Sequence, residues 1–322
     1  MQIKLRRKST QRMLQSAGII NRSDRLRQHP RTGRNTIFSC AISADEELIA
    51  KIDGLDQRRS GEIYAYRKLA GSALILPPVY VNDAAHLCVF KGRSGDQAAE
   101  ILARENPADC LIAIMALALK TLSLGATRCD ELDIVTDYLV DWPYPKLSQI
   151  IDCGPGFASA LKMIQDMGLH HAVPCQGIYP AVFSHGDVKL NNILVRDGTA
   201  HLIDFELCCR SYPMRDIGAL AGCILQIPIE HRRALADGSV SGLAFTDALA
   251  CVDALMRLAV AHCDTHFPDC ALGERHFYGS IVHFLLIRTL SEILQRGEMV
   301  DADRLTIDLA QHLCLKAGLV LC

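Results

Sequence analysis

Ser184-His185-Gly186-Asp187-Val188-Lys189-Leu190-Asn191-Asn192, followed shortly by Ile203-Asp204-Phe205-Glu206, is the stretch on which the reading of this 322-residue chain turns. Asp187, Asn192 and Asp204 are two carboxylates and an amide within one short segment. Between them, Ile193-Leu194-Val195 and Ala200-His201-Leu202-Ile203 flank Arg196-Asp197-Gly198-Thr199, two apolar runs around an Asp-Gly turn. That pattern predicts a β-hairpin, which returns the second carboxylate beside the first. One acid that orients a hydroxyl, one that holds a divalent cation, and an amide that helps with the cation are what transfer of a phosphoryl group from a nucleotide requires.

Asn192 follows Asp187 by five residues, the spacing used by protein kinases. The stretch resembles the aminoglycoside phosphotransferase and choline kinase family, the small-molecule branch of the kinase-like fold. His-Gly-Asp stands where most protein kinases have His-Arg-Asp, and Asp-Phe-Glu where they have Asp-Phe-Gly. The strong match spans about Phe183 to Leu220. It implies an α+β, bilobal fold with a small strand-rich N-lobe (1–91) and a large, mainly helical C-lobe (92–322). ATP and Mg²⁺ would lie in the cleft between the lobes, with a hydroxyl of a small cationic or polyhydroxylated molecule, aminoglycoside- or choline-like, as acceptor.

Under that resemblance Asp187 is the catalytic carboxylate, and Asn192 and Asp204 are the metal ligands. Asn191 is a rival amide, set aside by its spacing from Asp187. Lys189 falls where serine/threonine protein kinases place a lysine on the transferring phosphate; a solvated surface lysine is the alternative. Lys51, in Leu48-Ile49-Ala50-Lys51-Ile52, copies the strand whose lysine meets the α- and β-phosphates. Glu62 is expected to hold that lysine by an ion pair, with Glu46 or Glu47 in competition. His185 is expected to be a scaffold residue. Asp216 resembles the aspartate that opens the helix behind the catalytic loop, there to cap the helix and tether the loop. A full GxGxxG phosphate-covering loop is missing, which favours the antibiotic and choline phosphotransferases, whose loop is often less glycine-rich, over protein kinases; only Gly33, in Arg31-Thr32-Gly33-Arg34-Asn35-Thr36, lies where the first hairpin should turn.

Half of the residues are apolar and charges are ordinary in number, so disorder is not expected. Ten Lys and Arg against the single acid Asp24 precede residue 35. A solvated helix face accounts for this basic head, with a phosphate-, nucleic-acid- or lipid-facing surface as the alternative; nucleic acid is not the expected partner. The fourteen cysteines show no CxxC pair and no zinc spacing. They read as thiols of a reducing cytoplasm. No signal peptide is evident, and the longest apolar run, Leu111 to Leu119, is too short to span a bilayer.

Outward from the motif, a helix is expected over Ser9 to Gly18. Strands are expected over Thr36–Ile42, Leu48–Ile52, Val79–Val81 and Leu87–Phe90, with a helix over Gly61–Ala70. Beyond a glycine joint at residues 92–95, helices are expected over Asp96–Arg104, Leu111–Leu124, Phe157–Met167, Phe245–Cys263, His276–Leu294 and Arg304–Leu315. The acids Asp166, Asp253, Glu274, Glu292, Asp301 and Asp303 of this helical part are candidates for binding an amine-bearing acceptor, or a solvated face. Only eleven residues separate Asp204 from Asp216. That leaves little room for the activation segment of a protein kinase. A non-catalytic pseudokinase usually lacks one of the three central residues, all of which are present here.

Overall fold

The computed structural model describes residues 2–28, 36–43, 47–52, 61–92, 97–104, 107–122, 154–169, 181–234, 244–270 and 273–319. Gly33, Arg34 and Asn35 of the expected phosphate loop, Glu46, and residues 93–95 of the glycine joint lie outside them. The chain divides into two compact units, residues 1–96 with 201–208, and residues 97–200 with 209–322.

The first unit is built on an antiparallel sheet. Its strands are β1 (Arg27–Gln28), β2 (Thr36–Ala41), β3 (Glu47–Ile52), β4 (Tyr80–Asn82) and β5 (Leu87–Gly92), in the order β1-β2-β3-β5-β4. Phe38, Cys40, Leu48, Ala50, Leu87 and Val89 alternate along β2, β3 and β5, so they share one face and form a core. Helix α1 (Gln2–Ser16) lays Leu14 on that core, and Ile20 and Leu26 follow it. The helix starts seven residues before the expected Ser9, because Lys4, Leu5, Arg6 and Arg7 are good helix formers. Arg7, Lys8 and Arg12 are exposed while Leu14 is buried, so this part of the basic head is the polar face of an amphipathic helix. Helix α2 (Gly61–Lys68) buries Glu62, Ile63, Ala65 and Tyr66.

The second unit is mainly helical. Its helices are α3 (Ala98–Arg104), α4 (Pro107–Thr121), α5 (Pro155–Asp166), α6 (Arg215–Ala234), α7 (Phe245–His266), α8 (Glu274–Arg296) and α9 (Asp301–Lys316). Strands β6 (Val182–Ser184) and β9 (Cys209–Ser211) pair antiparallel, and β7 (Ile193–Arg196) and β8 (Thr199–Leu202) form the expected hairpin, closed by Asp197 and Gly198 at positive φ. Each expected helix and strand has a counterpart, with ends shifted by at most four residues apart from the start of α1.

Helix α6 is the axis of this unit, packed against α3, α4, α7, α8 and α9. Ile217, Leu220, Ala221, Cys223, Ile224, Leu225 and Ile227 bury it on every side. Two glycines let α8 approach it. A Cβ on Gly218 would stand 2.3 Å from the Ser280 Cβ, and one on Gly222 would stand 2.3 Å from the Phe284 ring. Four residues apart, they share a face of α6 and set its closest contact with α8. By length and composition α8 could cross a membrane, yet 72% of its apolar window is buried inside the protein, as in a core helix. The ten described cysteines are free thiols.

Candidate active site

The loop between β6 and the Asn192 turn carries Asp187. It leaves β6 through Gly186, whose φ of 82° only glycine adopts easily. Asp216, in the first turn of α6, ties the loop down. Its carboxylate accepts from Ser184 Oγ at 2.8 Å, from the His185 N–H at 2.6 Å and from the Gly186 N–H at 3.4 Å. Arg215 adds a bond from Nη2 to the Gly186 oxygen at 3.4 Å. His185 is fully buried, and its Nδ1 accepts the Asp187 N–H at 3.2 Å. It therefore shapes the loop from inside while Asp187 points outward.

Asn192 lies on the 3-10 turn Leu190–Asn192 that leads into β7. Its Nδ2 donates to the main-chain oxygen of Asp187 at 2.9 Å and to its Oδ2 at 3.1 Å. With the nitrogen committed to Asp187, the amide oxygen is the atom left to face a cation. Asn191 is exposed, whereas Asn192 is buried. Lys189 is not a purely solvated lysine: its Nζ pairs with the Asp187 carboxylate.

In the first unit, Lys51 on β3 lies opposite Cys88 of β5. Its Nζ bonds Glu62 Oε2 at 2.6 Å and also pairs with the Asp204 carboxylate. Burial works against the ammonium, but the carboxylates of Glu62 and Asp204 outweigh it and hold Lys51 above the ordinary lysine range. Glu62 is 3% exposed, and of the three side chains Asp204 is the most open. Asp204 sits in the left-handed region, φ 68° and ψ 57°, a conformation that aspartate tolerates better than most residues.

Its segment is held on both sides within the same unit. Upstream, the Leu202 N–H donates to the Leu74 oxygen at 2.7 Å. Downstream, Phe205 stacks edge-on against Tyr66, centroids 5.6 Å apart, and Cys208 Sγ donates to the Gly61 oxygen at 3.1 Å. A Cβ on Gly61 would crowd the main-chain oxygens of Phe205 and Glu206 at 3.0–3.2 Å. That close approach is why α2 begins on a glycine.

A cavity of about 160 Å³ opens beside Asp187 within the second unit. Asp187, Lys189, Tyr212, Arg215, Ser280 and Arg288 are among its walls. Sequence reasoning did not single out Arg215, Ser280 or Arg288. A signal was present: Ser280, His283, Arg288, Ser291 and Gln295 run at three- to five-residue spacing along the helix. None of the six acids considered for an amine-bearing acceptor lines the cavity. Asp253 pairs with Lys316 and Tyr278, Asp303 with Arg296, Glu292 with Arg288 and Arg296, and Asp166 with Lys162.

Residues 169–255 match the model of the phosphotransferase enzyme family, a span that contains Asp187, Lys189, Asn192, Asp204 and Asp216. No curated protein matches the sequence. Among solved structures, a choline/ethanolamine kinase family protein from Mesorhizobium loti superposes with a TM-score of 0.53 at 15% identity, over 97% of this chain and 95% of the other. The fold is that of the choline kinases and aminoglycoside phosphotransferases. The choline kinase LicA of Streptococcus pneumoniae gives 0.50 at 12% identity, over 96% and 98% of the two chains. An aminoglycoside phosphotransferase, APH(2")-IIa, in complex with streptomycin and ATP, gives 0.51 at 16%, over 89% and 92%. The expected bilobal kinase-like class is therefore the fold of this chain, with its antiparallel sheet in the N-terminal part and its helices in the C-terminal part.

Proposed function

We propose that the chain is an ATP-dependent phosphotransferase of the choline kinase and aminoglycoside phosphotransferase type, acting on a hydroxyl of a small molecule. The observation that carries this reading is Asp187: a carboxylate positioned by Asn192, on a loop anchored to Asp216, facing a cavity.

Asp187 orients the acceptor hydroxyl and takes its proton late in the reaction. The hydroxyl oxygen bonds the γ-phosphorus while the bond from that phosphorus to the bridging oxygen of ADP breaks. Lys51 neutralises phosphate charge, and Glu62 holds its ammonium in place. Lys189, drawn from Asp187 by the incoming phosphate, stabilises the transferring group.

Asp204 and the amide oxygen of Asn192 would hold Mg²⁺: carboxylate and amide oxygens are the donors this hard cation takes, with phosphate and water completing its shell. When bound, the ion offsets the charge that develops on the phosphate oxygens. Among the described residues no group of three or more His, Cys, Asp or Glu is placed to hold a metal without such help.

The test is ADP release from MgATP with a panel of small alcohols, in the wild type and in Asp187→Asn and Asp204→Asn. Turnover of one alcohol that disappears in both variants is expected. Turnover that survives both refutes the site.

A further inference from the structure

We propose that the accepted alcohol carries an anionic group, a carboxylate or a phosphate ester, which Arg288 and Arg215 bind in the cavity beside Asp187. This rests on reading Asp187 as the position of phosphoryl transfer.

The cavity is unusual for a site meant to take a cation. Its described walls bring three fixed positive charges, Lys189, Arg215 and Arg288, against two carboxylates, Asp187 and Asp216. Both carboxylates are already committed. Asp216 accepts from Ser184, His185 and Gly186, and Asp187 is held by Asn192 and Lys189. Arg288 meets Glu292 through Nε at 2.9 Å, and Glu292 is not part of the wall. The α8 wall contributes Ser280, His283, Ser291 and Gln295 as its other polar groups, with no acid among them.

Among the described walls an ammonium entering this space would lose water and meet only Asp187 and Asp216, whose oxygens already accept from Asn192, Lys189 and the loop itself. An oxyanion gains charge-assisted and, on a guanidinium, bidentate hydrogen bonds. Tyr212, Ser280, Ser291 and Gln295 supply neutral partners for the hydroxyls of the acceptor.

Two matched acceptor sets test this with MgATP: glycerate, glycerol 3-phosphate, glycerol and serinol, and gluconate, glucose 6-phosphate, glucose and glucosamine. In at least one set, kcat/KM for an anionic member is expected to exceed that of its neutral and cationic counterparts by about tenfold or more. Comparing the carboxylate and phosphate members tells the two sources of charge apart. Arg288→Gln is expected to raise KM for the preferred anion about tenfold and leave KM for MgATP unchanged, with partial recovery in Arg288→Lys.

Faster turnover of neutral or cationic members overturns the proposal while leaving phosphotransfer intact, as does an anion KM insensitive to Arg288→Gln. If no member yields ADP, thermal shift in the presence of MgADP decides. Stabilisation by an anionic member that vanishes in Arg288→Gln upholds the anion site and counts against phosphotransfer. No stabilisation by any of them overturns the anion site.

Discussion

Asn192 Nδ2 donates to Asp187 twice, to its main-chain oxygen at 2.9 Å and to its carboxylate at 3.1 Å. The two proposed roles, hydroxyl positioning and metal binding, thus share one side-chain amide. Asn192→Ala is expected to lower kcat at least as much as it raises the Mg²⁺ requirement, since it frees Asp187 as well as removing a ligand. Asp187→Asn is expected to cost about 10²-fold or more in kcat with nucleotide affinity retained. Steady-state kinetics over a magnesium series, paired with calorimetric titration of MgADP, checks both.

Lys51 and Glu62 form a buried pair, and removing only the lysine strands the acid. Lys51→Met is expected to destabilise the protein by about 3 kcal/mol and to weaken MgATP binding. The double variant Lys51→Met with Glu62→Gln is expected to recover part of the stability and none of the nucleotide affinity. Urea denaturation and nucleotide titration of the four species form the double-mutant cycle.

Asp216 touches only the protein's own loop in the described bonds. Asp216→Ala leaves a buried hydroxyl and two main-chain N–H groups without their acceptor, at a cost of about 2 kcal/mol or more. Asp216→Asn is expected to be intermediate, because it retains one accepting oxygen. The measured stability and kcat should fall together across the two variants, since the loop that loses its anchor is the loop that carries Asp187.

The glycine contact between α6 and α8 is expected to be intolerant of a methyl group. Gly222→Ala forces the Phe284 ring to move and should cost about 1–3 kcal/mol. Because Phe284 also lines the cavity, acceptor KM should rise while KM for MgATP stays constant. Equal changes in both constants would contradict this placement.

Acidification is expected to weaken the fold in two stages. Burial, and then the neighbouring His266, lower the pKa of His262; burial, and then Arg275, lower that of His276. Both imidazoles are harder to protonate in the folded chain than in the unfolded one. The unfolded state therefore binds more protons as pH falls below about 6.5, and stability drops there. For Asp253 burial raises the pKa, but hydrogen bonds from Lys316 and Tyr278 outweigh it and the net shift is downward. Its contribution is present above the ordinary carboxylate value of about 3.9 and is lost as pH falls through the lower folded value. Melting temperature against pH should flatten between about 7 and 5 in a His262→Gln, His276→Gln double variant, and only the later decline should change in Asp253→Asn.

Much of this architecture is local and was legible without coordinates. The Asp-Gly turn and its apolar flanks encode the β7–β8 hairpin, and the spacing from Asp187 selects Asn192 over Asn191. Helices α7, α8 and α9 announce themselves by apolar periodicity, because one-sided burial leaves a 3.6-residue trace. The pairing of Lys51 with Glu62 is what the resemblance implies, although their separation of eleven residues is short for such a fold; the bond between them is seen only in the structure.

Other features depend on residues far apart in the chain, for which no short-range rule exists. Gly218 and Gly222 are unremarkable in sequence; only the approach of Ser280 and Phe284, some sixty residues later, gives them a task. Arg215, Arg288 and Asp187 lie on different elements, and their shared cavity comes from how α6 and α8 cross. Asp166, Asp253, Glu292 and Asp303 read as possible amine ligands until packing matched them with Lys162, Lys316, Arg288 and Arg296. Sequence alone determined the chemistry of the loop, because its spacing and turn types are short-range. Tertiary structure decided which charges surround that loop, because the electrostatics of a cavity are a sum over side chains that only folding brings together.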